Sequence, residues 1–574
     1  MRIYFKKLLI GIIILLCLLI ISGCISGINS SKNNSTVTRN NEGESEGLVD
    51  DVSINHSTEI AQQTLQPQSI NINYSQKIPK RLKEFAEDFN KDNPINSGDV
   101  IDLFLDIDNN NTYKCIYKEL DWYYLLVAPY PTVQDEISLD ELQNIWLESI
   151  DDSSERPSIY LSEDTYYAIA SIFGEGSNNL LNIVNDDTES FREIVFNSKD
   201  AFAIIPFEDL DPYWKVIKID GSSLINNGDE ISSYPLIVHF EIGSKADDCL
   251  QAEDEREVLV FANFENNFIP EKLTSIMMTG TTALVRNTAQ KMEQNGVLYP
   301  ARDILKVLAD ADITHISNEV PFSEECPPAD PVRTDWDFCS DPTYIDLLKY
   351  IDADVIELTG NHVMDWGPEA FEYTLDLYDQ NEFRYYGGGR DMNSAKKPLL
   401  FEHNGNKIAF IGCNASGPSG VWADFNSPGA AQCEKEWIEK SLLELKNEGY
   451  IIIFTFQHIE NCDYSPHLAQ QGDFLFAADA GADIVSGSQS HCPQAILIKD
   501  DKFIHYGLGN LFFDQMDYYA SREMIDKHYV YDGTYISTEL FTIVLEDYAK
   551  PRLMNEAERK KLLNSIFRTS EWVW

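Results

Sequence analysis

Positive charge is what this sequence has least of. Its 574 residues carry 44 Lys and Arg against 94 Asp and Glu, a formal net charge of -50. A surface of that sign repels phosphate backbones, so nucleic acid is excluded as a partner. Several catalytic signatures are also missing. There is no G-x-S-x-G elbow and no Ser-His-Asp set suited to nucleophilic hydrolysis. The triple glycine at 387–389 is followed by no Lys-Ser/Thr pair, so it reads as a turn rather than a phosphate loop. "GPSG" at 417–420 is likewise a loop. No internal repeat is present, which sets aside solenoids and propellers. What remains is 43% hydrophobic and 11% aromatic, enough for more than one core. At about 150 residues per domain the length allows two to four domains.

The N-terminus points to export. Arg2, Lys6 and Lys7 precede an apolar run from Leu8 to Ile21, followed by Ser22, Gly23 and Cys24. "IISGC" at 20–24 resembles the lipobox of prokaryotic lipoproteins, which implies a lipidated Cys24 and a place on the extracellular face of the cell membrane. An uncleaved signal anchor is the alternative, although the run is short against the about 20 residues of a spanning helix. Apart from Cys17 and Cys24, eight cysteines remain, an even number that suits disulfides in an exported protein. Cys326 and Cys339 bracket a Pro- and Asp-rich loop and are expected to pair. Cys462 and Cys492, each near a candidate site histidine, are expected in a disulfide rather than as metal ligands.

The chain divides into a leader at 1–23, a polar tether at 24–75 and an α/β domain at 76–245. A linker at 246–271, a second α/β domain at 272–548 and a terminal helix at 549–574 complete it. In the first domain, "IPKRLKEFAEDFNK" (78–91) and a segment at about 163–173 have helical periodicity. "DVIDLFLDI" (99–107) and "WYYLLVAPY" (122–130) read as strands, and Ser138 with Glu141 forms a capping box. "FREIVF" (191–196), "AFAIIPF" (201–207) and "WKVIKID" (214–220) follow as short apolar runs. The stretches at 123–146 and 201–221 resemble solute-binding proteins of the phosphate-binding type, but no phosphate-cradling Ser/Thr/Gly loop accompanies them. In the second domain, seven apolar runs separated by helical patterns read as strands.

Five of those runs end in residues suited to metal or phosphate chemistry: Glu319, Asn361-His362, His458 with Glu460, His491 and Asn510. Ligands of open α/β sheets bind beyond the carboxyl ends of strands, so these ends form one candidate site. Seven blocks share their context, among them "ISNEVPF" (316–322), "LTGNHVMDWGPEAFEYTLDL" (358–377), "FTFQHIE" (454–460), "AGADIVSGSQSHCPQ" (480–494) and "HYGLGNLFFDQ" (505–515). In that order they resemble the CapA family of poly-γ-glutamate and capsule biosynthesis, within the calcineurin-like metallophosphatases. The resemblance implies a mixed β-sandwich flanked by helices, preceded here by the smaller solute-binding-like α/β domain.

Carried over residue by residue, the resemblance makes Glu319, Asn361, His458 and His491 metal ligands. It makes His362 a proton donor oriented by Asp365, and places Thr281, Glu460, Gln489 and Asn510 around the substrate. Two departures stand out. Thr281 occupies the place of the bridging Asp, and Gln489 that of the first His of H-x-H. A neutral Thr cannot bridge two dications, so the expectation is one divalent ion (Mn, Fe, Zn or Mg) rather than two, with a metal-free site as the alternative. The function implied is synthesis, anchoring or processing of an anionic cell-surface polymer such as poly-γ-glutamate, as a hydrolase if active. The alternatives are a non-catalytic assembly lipoprotein and a solute receptor. The sequence leaves the oligomeric state open.

Overall fold

Alternation along single strands decides how the C-terminal half is layered. In the strand Ile451–Gln457, Ile451 and Ile453 enter one core cluster while Ile452, Phe454 and Phe456 enter another. Only a strand covered on both faces buries both sets. The computed structural model of the chain describes residues 69–94, 100–107, 113–147, 157–176, 179–185, 188–198, 200–226, 231–245, 265–332 and 336–572. The leader, Cys24 and most of the tether lie outside these residues, as does the first part of the linker.

Two large sheets form the body of the C-terminal half. One runs in the order Arg384–Tyr386, Val355–Glu357, Ile313–Asn318, Leu273–Thr279, Arg522–Tyr531, Thr534–Glu546, Lys550–Leu553. Its first four strands are parallel and the last three antiparallel. The other runs Leu399–His403, Asn406–Asn414, Ile451–Gln457, Ile484–Ser488, Lys502–His505, Ile496–Lys499, parallel through its centre. Ile276, Ile313 and Val355 of the first sheet share a core with Ile408, Ile453 and Ile484 of the second. The outer face of the first is covered by Phe371, Leu375 and Tyr378 of the helix Gly367–Gln380. That of the second is covered by Leu442 and Phe474 of the helices Lys435–Asn447 and Leu468–Ala480. The result is a helix-flanked β-sandwich with the parallel strands of each sheet ending at the site.

The N-terminal half is a separate mixed sheet with Ser69–Tyr74 at its edge, followed by Val100–Ile107, Ile237–Ser244, Cys115–Pro129, Ala201–Pro206, Ser158–Leu161 and Leu181–Ile183. Helices Lys80–Asp92, Leu139–Leu147 and Glu163–Phe173 match the expected periodicity. "FREIVF" lies within the helix Thr188–Phe196, because its buried residues, Phe191 and Val195, are four apart and share one helical face. Residues 265–268 lie along the strand Cys115–Pro129. There Asn267 accepts a hydrogen bond from the Tyr123 amide at 2.8 Å and donates to its carbonyl at 2.9 Å.

A charged clamp joins the two halves. Arg559, on the terminal helix Glu556–Thr569, donates to both oxygens of Asp135 at 2.6 and 2.7 Å and to the Leu540 carbonyl at 2.9 Å. Lys215 reaches the same carboxylate at 2.7 Å. Hydrogen bonds to charged groups are worth more than neutral ones, but Asp135 is partly solvated and its share is screened. Arg559→Ala is expected to lower the unfolding free energy by about 1–2 kcal/mol in chemical denaturation. No change would show that the clamp is silent.

Candidate functional site

Strand parity selects which residues enter the space between the sheets. Gln457 continues the inward series of Ile451, Ile453 and Thr455, and His458 continues the outward series. The Gln457 side chain therefore points at the other sheet. Its amide nitrogen lies 3.0 Å from Glu319 Oε1 and 2.8 Å from Asn361 Oδ1, and also donates to Gln489 Oε1. Its amide oxygen accepts from the Ser488 hydroxyl, which fixes the orientation of the group. Three oxygens thus surround one partially positive nitrogen that carries only two protons.

Local backbone holds these oxygens in place. Glu319 follows the strand Ile313–Asn318, and its N–H donates to the Thr282 carbonyl at 3.0 Å. Gly360 lies directly against it: a Cβ there would come within 2.7 Å of Glu319 Cα, so the contact requires a residue with no side chain. Gln489 and His491 both have positive φ, 78° and 52°, an uncommon conformation for side-chain-bearing residues that is tolerated where function requires it. Disulfides Cys462–Cys492 and Cys326–Cys339 fasten the flanking loops, as expected from the sequence. A third, Cys413–Cys433, was not anticipated.

The remaining predicted residues form separate pairs. His491 Nδ1 lies 2.8 Å from Asn510 Oδ1, with its ring against Phe513. Thr281 pairs through its backbone with Ser317 and Asn510, and its buried hydroxyl has no partner. The contacts of His458 are with other residues. Its Nε2 meets Asp473 Oδ2 at 3.1 Å, and its ring packs between Phe456 and Phe474. Asp473 in turn pairs with Lys435 at 3.2 Å. Glu460 is exposed at the mouth. Sequence reasoning missed Gln457. Counting inward positions from Ile451 would have found it.

The residues present do not fit a metal. Among the described residues no group of three or more His, Cys, Asp or Glu is arranged to hold one. The oxygen set contains a single carboxylate, Glu319, alongside the neutral carbonyls of Asn361 and Gln489, and the Gln457 nitrogen fills its centre. The second Glu319 oxygen is buried without a partner. A dication would have to displace an amide nitrogen whose two protons are already shared among these oxygens. A single carboxylate leaves most of its charge uncompensated.

His362 retains acid–base capacity at the mouth. Its Nδ1 lies 2.7 Å from Asp365 Oδ2, which also accepts from the Phe338 N–H at 2.9 Å. Burial alone would lower the His362 pKa, but the Asp365 hydrogen bond and the charges of Glu319, Asp365 and Glu460 together raise it. A histidine shifted upward contributes stability at low pH that is lost as pH rises through its folded value. Asp365→Asn is expected to lower the His362 pKa in an NMR titration, because the hydrogen bond and charge of Asp365 both raise it. An unchanged value would mean that Asp365 does not act on it.

Residues 275–515 match the family model for the bacterial capsule synthesis protein PGA_cap. The chain is 25% identical over 233 residues to the PGA biosynthesis protein CapA of Bacillus subtilis (strain 168), covering 40% of this chain and 61% of that protein. It is 23% identical over 250 residues to the capsule biosynthesis protein CapA of Bacillus anthracis, covering 43% and 61%. The chain therefore spans less than two thirds of the length of either relative. Among solved structures it is similar to the 5'-nucleotidase precursor of Thermus thermophilus, at 11% identity and a TM-score of 0.30, covering 51% of this chain and 58% of that one. So loose a likeness carries no argument.

Proposed function

We propose that this chain, whose residues 275–515 are a domain of the bacterial capsule synthesis family, is a surface-anchored assembly protein for an amide-linked anionic polymer of the poly-γ-glutamate class. On this reading it binds the polymer without a metal and does not hydrolyse it. The observation that carries the reading is the gathering of carboxamides at the strand ends. Asn361, Gln457, Gln489 and Asn510 lie where a metal-dependent hydrolase would need carboxylates and imidazoles. Gln457, Gln489 and Asn510 are buried and bonded to internal partners, so the partly exposed Asn361 is the carboxamide that would meet the N–H and C=O of an amide linkage. A chain of net charge -50 gains nothing from the carboxylates of such a polymer, so recognition has to come from its uncharged linkages.

This has a measurable consequence. Salt screens like-charge repulsion, so the affinity of the purified chain for poly-γ-glutamate should rise between low and physiological ionic strength. The double variant Asn361→Ala/Gln489→Ala should weaken binding by about tenfold without unfolding. Affinity that falls with salt, or that survives both substitutions, would reject the reading.

Anchoring is the second part of the proposal and rests on "IISGC" at 20–24. Cys24→Ala is expected to shift the protein from the membrane fraction to the medium, or to leave a longer, unprocessed chain. Unchanged mass and fractionation would remove the lipid anchor from the account.

A further inference from the structure

In a chain this acidic, a run of positive charge stands out. From Arg559 to Arg568 the terminal helix Glu556–Thr569 carries four cations and no acid. Its apolar side is already used: Leu562, Leu563, Ile566 and Phe567 enter the core between the two sheets. Arg559 is turned to Asp135. Lys560, Lys561 and Arg568 remain exposed on the outer side. Lys561 and Arg568 are seven residues apart, so they lie on one stripe, about 10 Å from each other along the helix.

A second segment widens the stripe. The Arg522 guanidinium lies 3.9 Å from the centre of the Tyr518 ring, and the Lys561 ammonium 5.0 Å from the same centre. Tyr518 meets Tyr519 edge-on at 5.3 Å, and Tyr519 meets Tyr464 at 5.2 Å. Met516, Tyr518 and Tyr519 are exposed. Among the described residues none of Arg522, Lys560, Lys561 and Arg568 takes part in an ion pair. Neighbouring acids have other partners. Glu558, which also feels the charge of Arg522, is held by two nitrogens of Arg552 at 2.8 and 3.1 Å. Asp517 accepts from the Tyr519 and Ala520 N–H groups at 3.1 and 3.2 Å. Glu571, beyond the helix, is exposed. The Asn510 amide donates to the Ala520 carbonyl at 3.4 Å, so the strip borders the strand-end site.

We propose that this strip docks the chain on an anionic lipid surface, with Arg522, Lys560, Lys561 and Arg568 on headgroup phosphates and Met516, Tyr518 and Tyr519 at the interface. Tyrosines beside Lys and Arg are the residue types of a membrane boundary, where the rings sit at headgroup level and the cations reach phosphate. A polyanion in solution would need only the cations, whereas exposed tyrosine and methionine gain from an interface. The net charge of -50 does not oppose contact. Charges are screened over about 8 Å at physiological ionic strength, so the strip is felt at the lipid while more distant acids are not. Repulsion of the rest of the surface turns this strip foremost. From Cys24 to the first described residue, Ser69, is 69 − 24 = 45 positions, a reach of more than about 100 Å when extended. A lipid at Cys24 therefore leaves the strip able to meet the membrane. Docking depends on the anchoring reading only for placing a membrane nearby.

The test is co-sedimentation of residues 25–574, which keep every described residue and lack the lipid, with vesicles of phosphatidylethanolamine containing about 30% phosphatidylglycerol. The parent should partition onto these vesicles and not onto pure phosphatidylcholine. Its bound fraction should fall as salt rises, opposite in sign to the polymer affinity predicted above, so the two readings fail separately. Lys561→Gln/Arg568→Gln should weaken partition by about tenfold or more. Lys349→Gln/Lys440→Gln, which removes the same charge from exposed helical positions elsewhere, should leave it unchanged. Tyr518→Ala/Tyr519→Ala should weaken it several-fold at every salt concentration, because ring burial is not screened. The proposal is overturned if the vesicles retain no parent chain, or if the two lysine-containing double variants behave alike. It is equally overturned if Lys561→Gln/Arg568→Gln loses affinity for poly-γ-glutamate and not for vesicles.

Discussion

The side-chain amide of Gln457 is the contact on which the site depends. It links the strand ends of both sheets at once: Glu319 and Asn361 from one, Gln489 from the other. A metal ion at that point would do the same through charge. An amide does it through two protons and a partial charge, so the gathered oxygens are held without enough positive charge to polarise a phosphoryl group or ionise water. Burial makes the difference sharper. Beneath the site lies a second buried carboxyl, Glu357, whose pKa is raised first by burial and further by the charge of Glu319. The strand ends hold together because the amide shares its protons among oxygens that would otherwise repel one another.

The fold sets this contact through simple periodicities. Parallel strands bring their carboxyl ends to one edge of each sheet, and stacking the sheets brings the two edges together. Helices cover the outer faces, so the strands read as nearly continuous apolar runs. The N-terminal sheet is fastened at a different place, through Arg559, Asp135 and Lys215.

Much of this was legible in the sequence. The parallel strands and their covering helices followed from runs and periods, and the Cys326–Cys339 and Cys462–Cys492 disulfides were expected from the sequence. The matching segments pointed to the capsule synthesis family. Three features were not legible, each for a physical reason. The strand Arg522–Tyr531 carries Asp526 and Lys527, both fully buried, and these charges hide its apolar pattern; Lys527 is satisfied by Asp310 at 2.9 Å from a distant part of the chain. Cys413 and Cys433 lie on separate elements that only the tertiary fold brings together. In the pair Gln457-His458, histidine drew attention as the better ligand, whereas strand parity turns glutamine inward and sends His458 to Asp473.

The central claim is that an amide, rather than a cation, gathers the oxygens at the strand ends. Metal content tests it most directly. The full chain would be equilibrated with Mn, Zn and Mg in turn, freed of unbound ion by gel filtration and analysed by elemental mass spectrometry. The account predicts no ion retained in proportion to protein with any of the three, in the parent or in Glu319→Gln. Retention of one or more ions per chain by the parent, lost on Glu319→Gln, would contradict it and return the site to metal-dependent chemistry.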